Sequence, residues 1–511
     1  MMLEQLGQAT AAVLRWDALA MIVVGNILGI IVGALPGLTV TMAMAIFSPL
    51  TFFMPPLVGI PFLLGLYKGG TYGGSISAIL IGTPGTASNA ATVLDGYPMA
   101  QQGRAGKALL ASIYASTVGD FFSNLVLVLA LWPLALIALK FGPPEFFALI
   151  LFSMTIIASL AGRSLAKCMV SAVLGVLLAL VGIDTVSGAS RLTFGFSDLQ
   201  GGISYIPFVI GLFGLGEIFV QVSRRTGHLK IMDLKEDPAA NRVTFAEILG
   251  KYWRTVIRSC LVGAGIGALP GVGAETSCWV AYGLAKRASP HPERFGKGEV
   301  EGVIAPEVGN NAVCGATMVP LLAFGIPGDV VTAVMLGAFI AQGLRPGPLL
   351  FKEHIVEIYG IFIAMFLATL AMFVVARLTV RLWVRILRVP RGLLYPVVMM
   401  LCLVGAYTIN NSLFDVGIVL AFGAIGYVMR MAGFEVAPMV LAFILSPMLE
   451  QSLIQSLLMS HGSPLIFVTR PIALVFLVLT AVSVGLYVRS GLRARWLLAA
   501  DAGSEPRDGR R

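Results

Sequence analysis

The chain has 511 residues, of which 57% are hydrophobic and only 12% are charged, and its mean hydropathy is +0.90. Because a soluble domain carries roughly 25% charged residues, this composition excludes a water-exposed globular protein of the same length. The net charge of +9 comes from basic residues beside apolar segments, which is typical of cytoplasmic membrane-protein loops and does not indicate a nucleic-acid-binding surface.

Long apolar runs predict an all-α polytopic membrane protein. Residues 108–139 contain a single acidic side chain, Asp120, and residues 471–488 contain no charge. Both approach or exceed the about 20 residues that a spanning helix requires, and the whole chain has room for roughly ten to twelve membrane segments. The five cysteines show no metal-ligand spacing, so we expect neither a metal nor an organic cofactor.

Three basic clusters predict the orientation in a bacterial inner membrane. They occupy residues 224–258, 377–391 and 489–511, and all three are expected on the cytoplasmic side.

Two short motifs occur twice and indicate an internal duplication. GALPG stands at 33–37 and at 267–271, an offset of 267 − 33 = 234 residues. IGTPG at 81–85 matches FGIPG at 324–328, an offset of 324 − 81 = 243 residues. We therefore predict two related transmembrane halves, 1–235 and 236–491, followed by a polar tail at 492–511. The relative orientation of the halves stays open, and we favour inverted repeats.

Glycine and proline are concentrated in apolar sequence, where they predict discontinuous helices or re-entrant hairpins. Irregular backbone at membrane depth is tolerated where protein or a wet cavity satisfies it, so such breaks point to a transport site. The alternative is that the glycines permit close helix packing. The stretches are GALPG at 33–37, YKGGTYGGS at 67–75, IGTPGTASN at 81–89, VGNNAVCG at 308–315 and FGIPGD at 324–329.

The same stretches favour an anionic solute, because half-helices that begin at such turns present free N–H groups and a positive dipole end. Lys68 lies within apolar sequence and is a candidate charge for a carboxylate, although it could also extend to the membrane interface. Asn310 and Asn311 could bind solute or join helices by hydrogen bonds. A sodium ion, if it is the coupling ion, is expected near Gly37, Gly271, Asn310 and Asn311.

The predicted substrate site has seventeen residues drawn from both halves. They are Gly37, Thr39, Lys68, Tyr72, Gly73, Gly74, Ser75, Thr83, Pro84, Gly85, Thr86, Gly271, Asn310, Asn311, Pro327, Gly328 and Asp329. No catalytic residue is expected, since the chain lacks a P-loop, a dinucleotide fingerprint and an HExxH motif.

The motifs resemble one family, the large membrane subunit of tripartite tricarboxylate transporters. The resemblance rests on YGGSISAIL at 72–80, ATVLDGYPMA at 91–100, GALPGVGAE at 267–275, FGKGEVEGVIAPEVGNNA at 295–312 and PLLAFGIPGD at 320–329. It covers residues 20–450. Many members have Asn and Glu where this chain has Gly82 and Thr86, which leaves the substrate and the coupling ion open.

The resemblance implies an elevator-like secondary transporter that takes up citrate-like tricarboxylates or other organic carboxylates with a proton or sodium gradient. It also implies two partners, a small membrane subunit and a periplasmic solute-binding protein. Two functions from other classes remain as alternatives at this stage: a membrane-embedded lipid-modifying enzyme and a passive anion channel.

Overall fold

The computed structural model is all-α apart from one pair of two-residue strands. It describes residues 2–160, 164–184, 187–223, 243–386 and 391–485. Residues 224–242, which span the boundary between the two predicted halves, and the whole predicted polar tail therefore lie outside the described residues.

Among its described residues, the first half of the chain contains ten α-helices and both strands. The helices are α1 (Met2–Val13), α2 (Trp16–Ala34), α3 (Val40–Phe47), α4 (Pro56–Leu80), α5 (Val93–Gln101), α6 (Ala105–Ala138), α7 (Pro143–Leu160), α8 (Leu165–Ala179), α9 (Tyr205–Val209) and α10 (Gly216–Ser223). A π-helical turn, Ile210–Leu215, joins α9 to α10. The strands β1 (Gly182–Ile183) and β2 (Ser190–Arg191) pair antiparallel. Short 3₁₀ turns are Pro49–Phe53, Ala87–Asn89 and Ser197–Leu199.

The second half is helical throughout its described residues. Its helices are α11 (Phe245–Lys251), α12 (Trp253–Gly267), α13 (Gly273–Ala288), α14 (Glu301–Ala316), α15 (Met318–Phe324), α16 (Val330–Ala341), α17 (Leu350–Glu353), α18 (Ile355–Ile386), α19 (Arg391–Asn410), α20 (Leu413–Met431), α21 (Ala437–Met459), α22 (Ile466–Thr469) and α23 (Pro471–Gly485). A 3₁₀ turn, Pro292–Arg294, precedes α14.

Within the described residues, seven helical stretches are long and apolar enough to cross a membrane, and five shorter helical stretches are apolar. This composition confirms the expected all-α, multi-pass membrane architecture. The main hydrophobic core draws on residues of both halves, from Ala9 to Leu445.

Helices α2 and α4 pack in direct backbone contact through glycines. A Cβ atom added at Gly25, Gly29 or Gly33 would lie 2.2–2.3 Å from the carbonyl oxygens of Phe62, Leu66 and Gly70, respectively. Because the contacts advance along both helices together, α2 and α4 run parallel. Small residues at every fourth position allow this approach in membrane helices.

Helices α12 and α14 repeat this packing in the second half. A Cβ atom at Gly263 would lie 2.5 Å from the Gly309 oxygen, and one at Gly267 would lie 3.0 Å from the Val313 oxygen. These contacts also advance in step, so α12 and α14 are parallel as well.

Two of the five stretches predicted to be broken are continuous helix. YKGGTYGGS at 67–75 lies inside α4, and VGNNAVCG at 308–315 lies inside α14. The prediction was wrong there because several of these glycines serve close packing: an added Cβ at Gly73 would meet the Ile30 oxygen at 2.6 Å.

The other three motifs do interrupt the helices, as predicted. Both GALPG motifs end a helix, and their last glycines, Gly37 and Gly271, have φ of 92° and 83°. The two PG turns also share one geometry, with Gly82 and Gly325 at φ of 73° and 72°. A positive φ is strained for other residues, so the repeated glycines are required by the backbone.

Contact registers give the directions of the central helices. The Ser112–Ser75 and Lys68–Asp120 contacts run in opposite order along α6 and α4, which are therefore antiparallel. In contrast, Gly119 contacts Val308 and Ser123 contacts Gly315, so α6 and α14 are parallel. It follows that α4 and α14 run in opposite directions.

The α2–α4 contact gives a direct stability test with a matched control. Gly29→Ala places a methyl group against the Leu66 oxygen and forces the helices apart, which should lower the free energy of unfolding by about 1–3 kcal/mol. Gly265→Ala in α12, where an added Cβ meets nothing within 4 Å, should be neutral or slightly stabilising. Thermal unfolding of the purified variants in detergent measures both, and equal melting temperatures would contradict the packing.

Candidate functional site

A cavity of about 390 Å³ lies where the two halves meet. Four helices begin at its wall, α3, α13, α16 and α21, and the 3₁₀ turn Ala87–Asn89 joins them. Its polar and charged lining consists of Thr39, Thr41, Tyr67, Thr71, Thr86, Ser88, Glu217, Glu275, Thr276, Asp329, Arg430 and Glu435.

The starts of α3 and α16 are fixed by side-chain caps. The Thr39 hydroxyl accepts a hydrogen bond from the Met42 N–H. The Asp329 carboxylate accepts the Thr332 N–H at 2.7 Å, and the Thr332 hydroxyl accepts the Asp329 N–H. Such caps satisfy part of the free N–H groups of a first helical turn and leave the positive dipole end directed at the cavity.

Asp329 also connects the two halves. The Tyr67 hydroxyl of α4 donates to its second carboxylate oxygen at 2.8 Å, and Tyr67 lies within 3.5 Å of the Thr317 hydroxyl. A neighbouring backbone contact, from the Gly271 N–H to the Gly328 oxygen at 2.8 Å, joins the second GALPG motif to the second PG turn.

Arg430 is the one basic side chain in the described cavity lining. Its Nη1 donates to the Leu212 oxygen at 2.8 Å, within the π-helical turn, and its Nε lies 3.4 Å from the Glu217 carboxylate. The guanidinium is therefore positioned by the backbone of one helix and by a carboxylate, with 17% of the side chain exposed.

Four carboxylates face this single guanidinium: Glu217, Glu275, Asp329 and Glu435. Asp329 caps α16, Glu275 lies in the first turn of α13, and Glu435 precedes α21. Acidic groups at helix N-termini are stabilised by the dipole, and they also offset part of its attraction for an anion.

Four of the seventeen predicted site residues line the cavity: Thr39, Thr86, Gly271 and Asp329. The other thirteen are not part of the lining, and one of them, Thr83, is exposed. They are Gly37, Lys68, Tyr72, Gly73, Gly74, Ser75, Thr83, Pro84, Gly85, Asn310, Asn311, Pro327 and Gly328. Gly37 contacts the Gln221 side chain, and Gly74 contacts Asn89. Of the four residues near which a sodium ion was expected, only Gly271 lies in the cavity wall.

Lys68 is neither at the membrane interface nor in the cavity. Its Nζ lies 2.7 Å from the Asp120 carboxylate and 3.0 Å from Asn124, and both charged side chains are fully buried. Thr369 donates to the other Asp120 oxygen at 3.1 Å, so the pair joins α4, α6 and α18. A buried charge without its partner is strongly unfavourable, and this pair holds three helices in register.

Glu307 is a second fully buried carboxylate, and it has only uncharged donors. The Asn89 amide and the Thr92 hydroxyl donate to Oε1 at 3.0 and 2.6 Å, and the Ser116 hydroxyl donates to Oε2 at 3.0 Å. The Asn311 amide donates to the Glu307 main-chain oxygen at 2.9 Å. Glu307 thereby links α14 to α6 and to the segment after the first PG turn.

The seventeen predicted residues missed Glu217, Glu275, Arg430, Glu435 and Glu307. Glu275 and Glu307 stand in the motifs GALPGVGAE and APEVGNNA, where an ionisable residue within an apolar region is itself a signal for function. Arg430 lies in the last turn of the apolar helix α20 and pairs with a residue 213 positions earlier, so its place in the cavity required the fold.

The chain matches the sequence profile of the Tripartite tricarboxylate transporter TctA family over residues 19–441. A relative from Agrobacterium vitis, "Uncharacterized 52.8 kDa protein in TAR-I ttuC' 3'region", is 39% identical over 457 residues, which cover 88% of this chain and 89% of the relative. Another, "Uncharacterized protein in TAR-II ttuC' 3'region", is 37% identical over 46% of this chain and 96% of its own length. No solved structure matches the chain significantly.

The double role of Asp329 can be tested by comparing two substitutions. Asp329→Ala removes the α16 cap and leaves Tyr67 without its acceptor, so the free energy of unfolding should fall by about 0.5–2 kcal/mol. Asp329→Asn keeps an oxygen for the Thr332 N–H and an amide that the Tyr67 oxygen can accept, so it should retain most of the stability. Thermal unfolding in detergent distinguishes the variants, and an equal loss in both would exclude capping as the main role.

Proposed function

The chain belongs to the tripartite tricarboxylate transporter TctA family, whose members are large membrane subunits of these transporters, and we propose that it takes up organic carboxylates with a proton or sodium gradient. The observation that carries this proposal is the cavity between the two halves, where four helix N-termini and Arg430 converge. Citrate-like tricarboxylates are the first substrate class to test.

A carboxylate in the cavity has two kinds of attractive partner. Arg430 offers a charge-assisted hydrogen bond, since its guanidinium is partly exposed and already oriented by the Leu212 oxygen. The hydroxyls of Thr41, Thr86, Ser88 and Thr276 are neutral groups in the wall that can also donate.

The charge balance of the cavity favours coupling to a cation. Four carboxylates and one guanidinium give the wall a formal charge of 1 − 4 = −3 when all are ionised. Since like charges repel strongly in a partly desolvated site, a tricarboxylate entering alone would be opposed by this wall. Entry together with protons or sodium ions offsets this electrostatic repulsion and links uptake to an ion gradient.

The packing supports two inverted repeats, 1–235 and 236–491, with the tail 492–511 outside them. The α2–α4 contact has its counterpart in α12–α14, and α4 and α14 run in opposite directions. Opposed halves around a shared site are the usual basis of alternating access, and here the PG turns and helix starts are the proposed elements of an elevator-like movement.

The residues predicted for the substrate site have two roles in this proposal. Thr39, Thr86, Gly271 and Asp329 line the cavity, and we assign them to contact with substrate. The remaining thirteen, including the PG-turn residues and Lys68, hold those four in place through the packing described above.

Orientation and partners complete the proposal. The charged segment that follows Ser223 and the basic residues near 377–391 indicate a cytoplasmic face of the bacterial inner membrane. The partners would be a small membrane subunit and a periplasmic solute-binding protein.

Uptake into proteoliposomes tests the function directly. The chain is reconstituted with a small membrane subunit and a periplasmic solute-binding protein, and radiolabelled citrate is offered with or without proton and sodium gradients. Saturable, gradient-dependent accumulation is expected. Passive equilibration would indicate an anion channel, and turnover of the vesicle lipid without uptake would indicate a lipid-modifying enzyme; either result contradicts the proposal.

Arg430→Gln tests the assigned carboxylate partner. Loss of a charge-assisted hydrogen bond worth about 1.5–3 kcal/mol should raise the KM for citrate about 10- to 100-fold. Arg191→Gln is the matched control, because Arg191 also pairs with a glutamate, Glu450 at 2.7 Å, but lies outside the cavity lining. Similar KM values for both variants would show that Arg430 does not bind the substrate carboxylate.

A further inference from the structure

Glu307 has no positively charged partner among the residues that the structure describes. Its three side-chain donors are the amide of Asn89 and the hydroxyls of Thr92 and Ser116. Asp120, the comparable buried carboxylate, is held by Lys68 at 2.7 Å. A buried carboxyl without a cation can be stable either as the anion, through its donors, or as the neutral acid, through its burial, so a proton can bind and leave.

Two further buried groups near Glu307 lack hydrogen-bond partners within the described part of the chain. They are both side-chain atoms of Asn310 and the hydroxyl of Tyr72. Asn310 follows Glu307 by three residues and so lies on the same face of α14, and Tyr72 interacts electrostatically with Glu307. Because buried polar groups normally have hydrogen-bond partners, these atoms can bond to groups that change protonation state or orientation beside them.

Asn89 connects Glu307 to the cavity. Its Nδ2 donates to Glu307 at 3.0 Å, while its Oδ1 accepts from the Thr86 hydroxyl and, at 3.4 Å, from the Ser88 hydroxyl. Thr86 and Ser88 line the cavity and lie 2.9 Å from each other. One amide therefore joins the buried carboxyl to two hydroxyls at the substrate site.

We propose that Glu307 is the proton-binding site of the transporter and that Asn89 transmits its protonation state to the cavity. This inference rests on the proposed function and specifies its coupling ion. Within the described residues, the side-chain hydrogen bonds to Glu307 come from uncharged donors, and both of its carboxylate oxygens already accept an N–H or O–H hydrogen. Both observations favour a proton over a bound cation at this position.

Counting donors and acceptors gives the direction of the coupling. An ionised Glu307 can only accept, so Asn89 must present its NH₂ to it and its oxygen to Thr86 and Ser88. The hydroxyl hydrogens of Thr86 and Ser88 are then used within the chain, and neither can donate to a carboxylate in the cavity.

Protonation of Glu307 reverses the orientation of the Asn89 amide. The neutral acid supplies an O–H that can donate to the Asn89 oxygen once the amide turns over, and the Asn89 NH₂ then donates to the hydroxyls. The hydrogens of Thr86 and Ser88 become free to bind an anion. One proton is thus taken up with the substrate carboxylate, no covalent bond other than O–H changes, and the proton returns to water when the substrate leaves.

Several other titratable groups around α14 are already engaged or neutral, whereas Glu275 of α13 lies in the cavity wall. Lys68 and Asp120 neutralise each other between α4 and α6. Asp95, after the first PG turn, accepts the Tyr282 hydroxyl of α13 and the N–H groups of Gly296, Gly298 and Glu299. Cys278 of α13 and Tyr72 of α4 face Glu307 as uncharged groups. Glu301, one and a half turns earlier on α14, accepts the Thr255 hydroxyl of α12.

Infrared difference spectroscopy of the full chain during a pH titration tests the site without any substrate. The wild type should lose the carbonyl stretch of one buried protonated carboxyl on alkalinisation. This band should be absent in Glu307→Gln and present in Glu293→Gln, a control at an exposed carboxylate. Identical difference spectra for the wild type and Glu307→Gln would overturn the proposal.

Citrate binding tests the coupling in the reconstituted complex. The apparent affinity of the wild type should rise on acidification by up to about tenfold per pH unit, the limit for one linked proton. Glu307→Gln, which resembles the neutral acid, should bind tightly at all these pH values, and its measurement cancels any effect of citrate ionisation. Unaltered pH dependence in Glu307→Gln would overturn the proposal.

Asn89→Ala provides a second variant that keeps Glu307 itself. It should retain the infrared band and lose the pH dependence of citrate binding, whereas retention of both would exclude Asn89 as the connection. Failure of the wild-type complex to bind citrate at any pH would instead contradict the proposed function. The infrared titration uses no substrate, so its result does not depend on that function.

Discussion

The backbone contact of α2 with α4, repeated by α12 with α14, seats the two PG turns from which Thr86 and Asp329 reach the cavity. These helices approach so closely that the first glycine of each GALPG motif reaches the glycine of the following PG turn. A Cβ at Gly85 would lie 1.8 Å from the Gly33 oxygen, and one at Gly328 would lie 2.9 Å from the Gly267 oxygen. With no space for a side chain, each turn is seated against a rigid helix pair, and the residues after it, Thr86 and Asp329, are presented to the same space.

This arrangement also solves a general difficulty of irregular backbone in a membrane. Broken helices expose N–H and C=O groups that lipid cannot satisfy. Here the Gly85 N–H bonds to the Gly74 oxygen and the Gly271 N–H to the Gly328 oxygen, so the turns satisfy one another or the adjacent helix. The groups that remain free are those at the helix starts, and they face the cavity, where a polar solute can replace water.

The sequence predicted the membrane class, the three glycine–proline breaks and four lining residues, because each depends on local chemistry. It could not separate glycines that end a helix from glycines that allow two helices to touch, since both kinds stand in apolar sequence rich in glycine. Gly73 and Gly309 belong to the second kind. Lys68 was identified as a buried charge, but its partner lies 52 residues away on another helix. Arg430 and Glu217 are further apart still, and only the packed helices bring them together.

Equivalent positions in the two halves carry different chemistry, and this difference accounts for the separate roles of the two turns. At the offset of 243, Tyr67 corresponds to Asn310 and Thr86 to Asp329. In the second half the cap is a carboxylate that Tyr67 secures from the opposite half at 2.8 Å. In the first half, Thr86 has a neutral hydroxyl that makes no capping hydrogen bond. The counterpart of Tyr67 is Asn310, whose side chain has no hydrogen-bond partner in the described part of the chain, and the nearby carboxyl is Glu307 on the opposite half. The two turns thus differ: hydrogen bonds with Tyr67 and Thr332 hold the second turn, and the hydrogen bonds of the first turn can reverse under the proposed coupling.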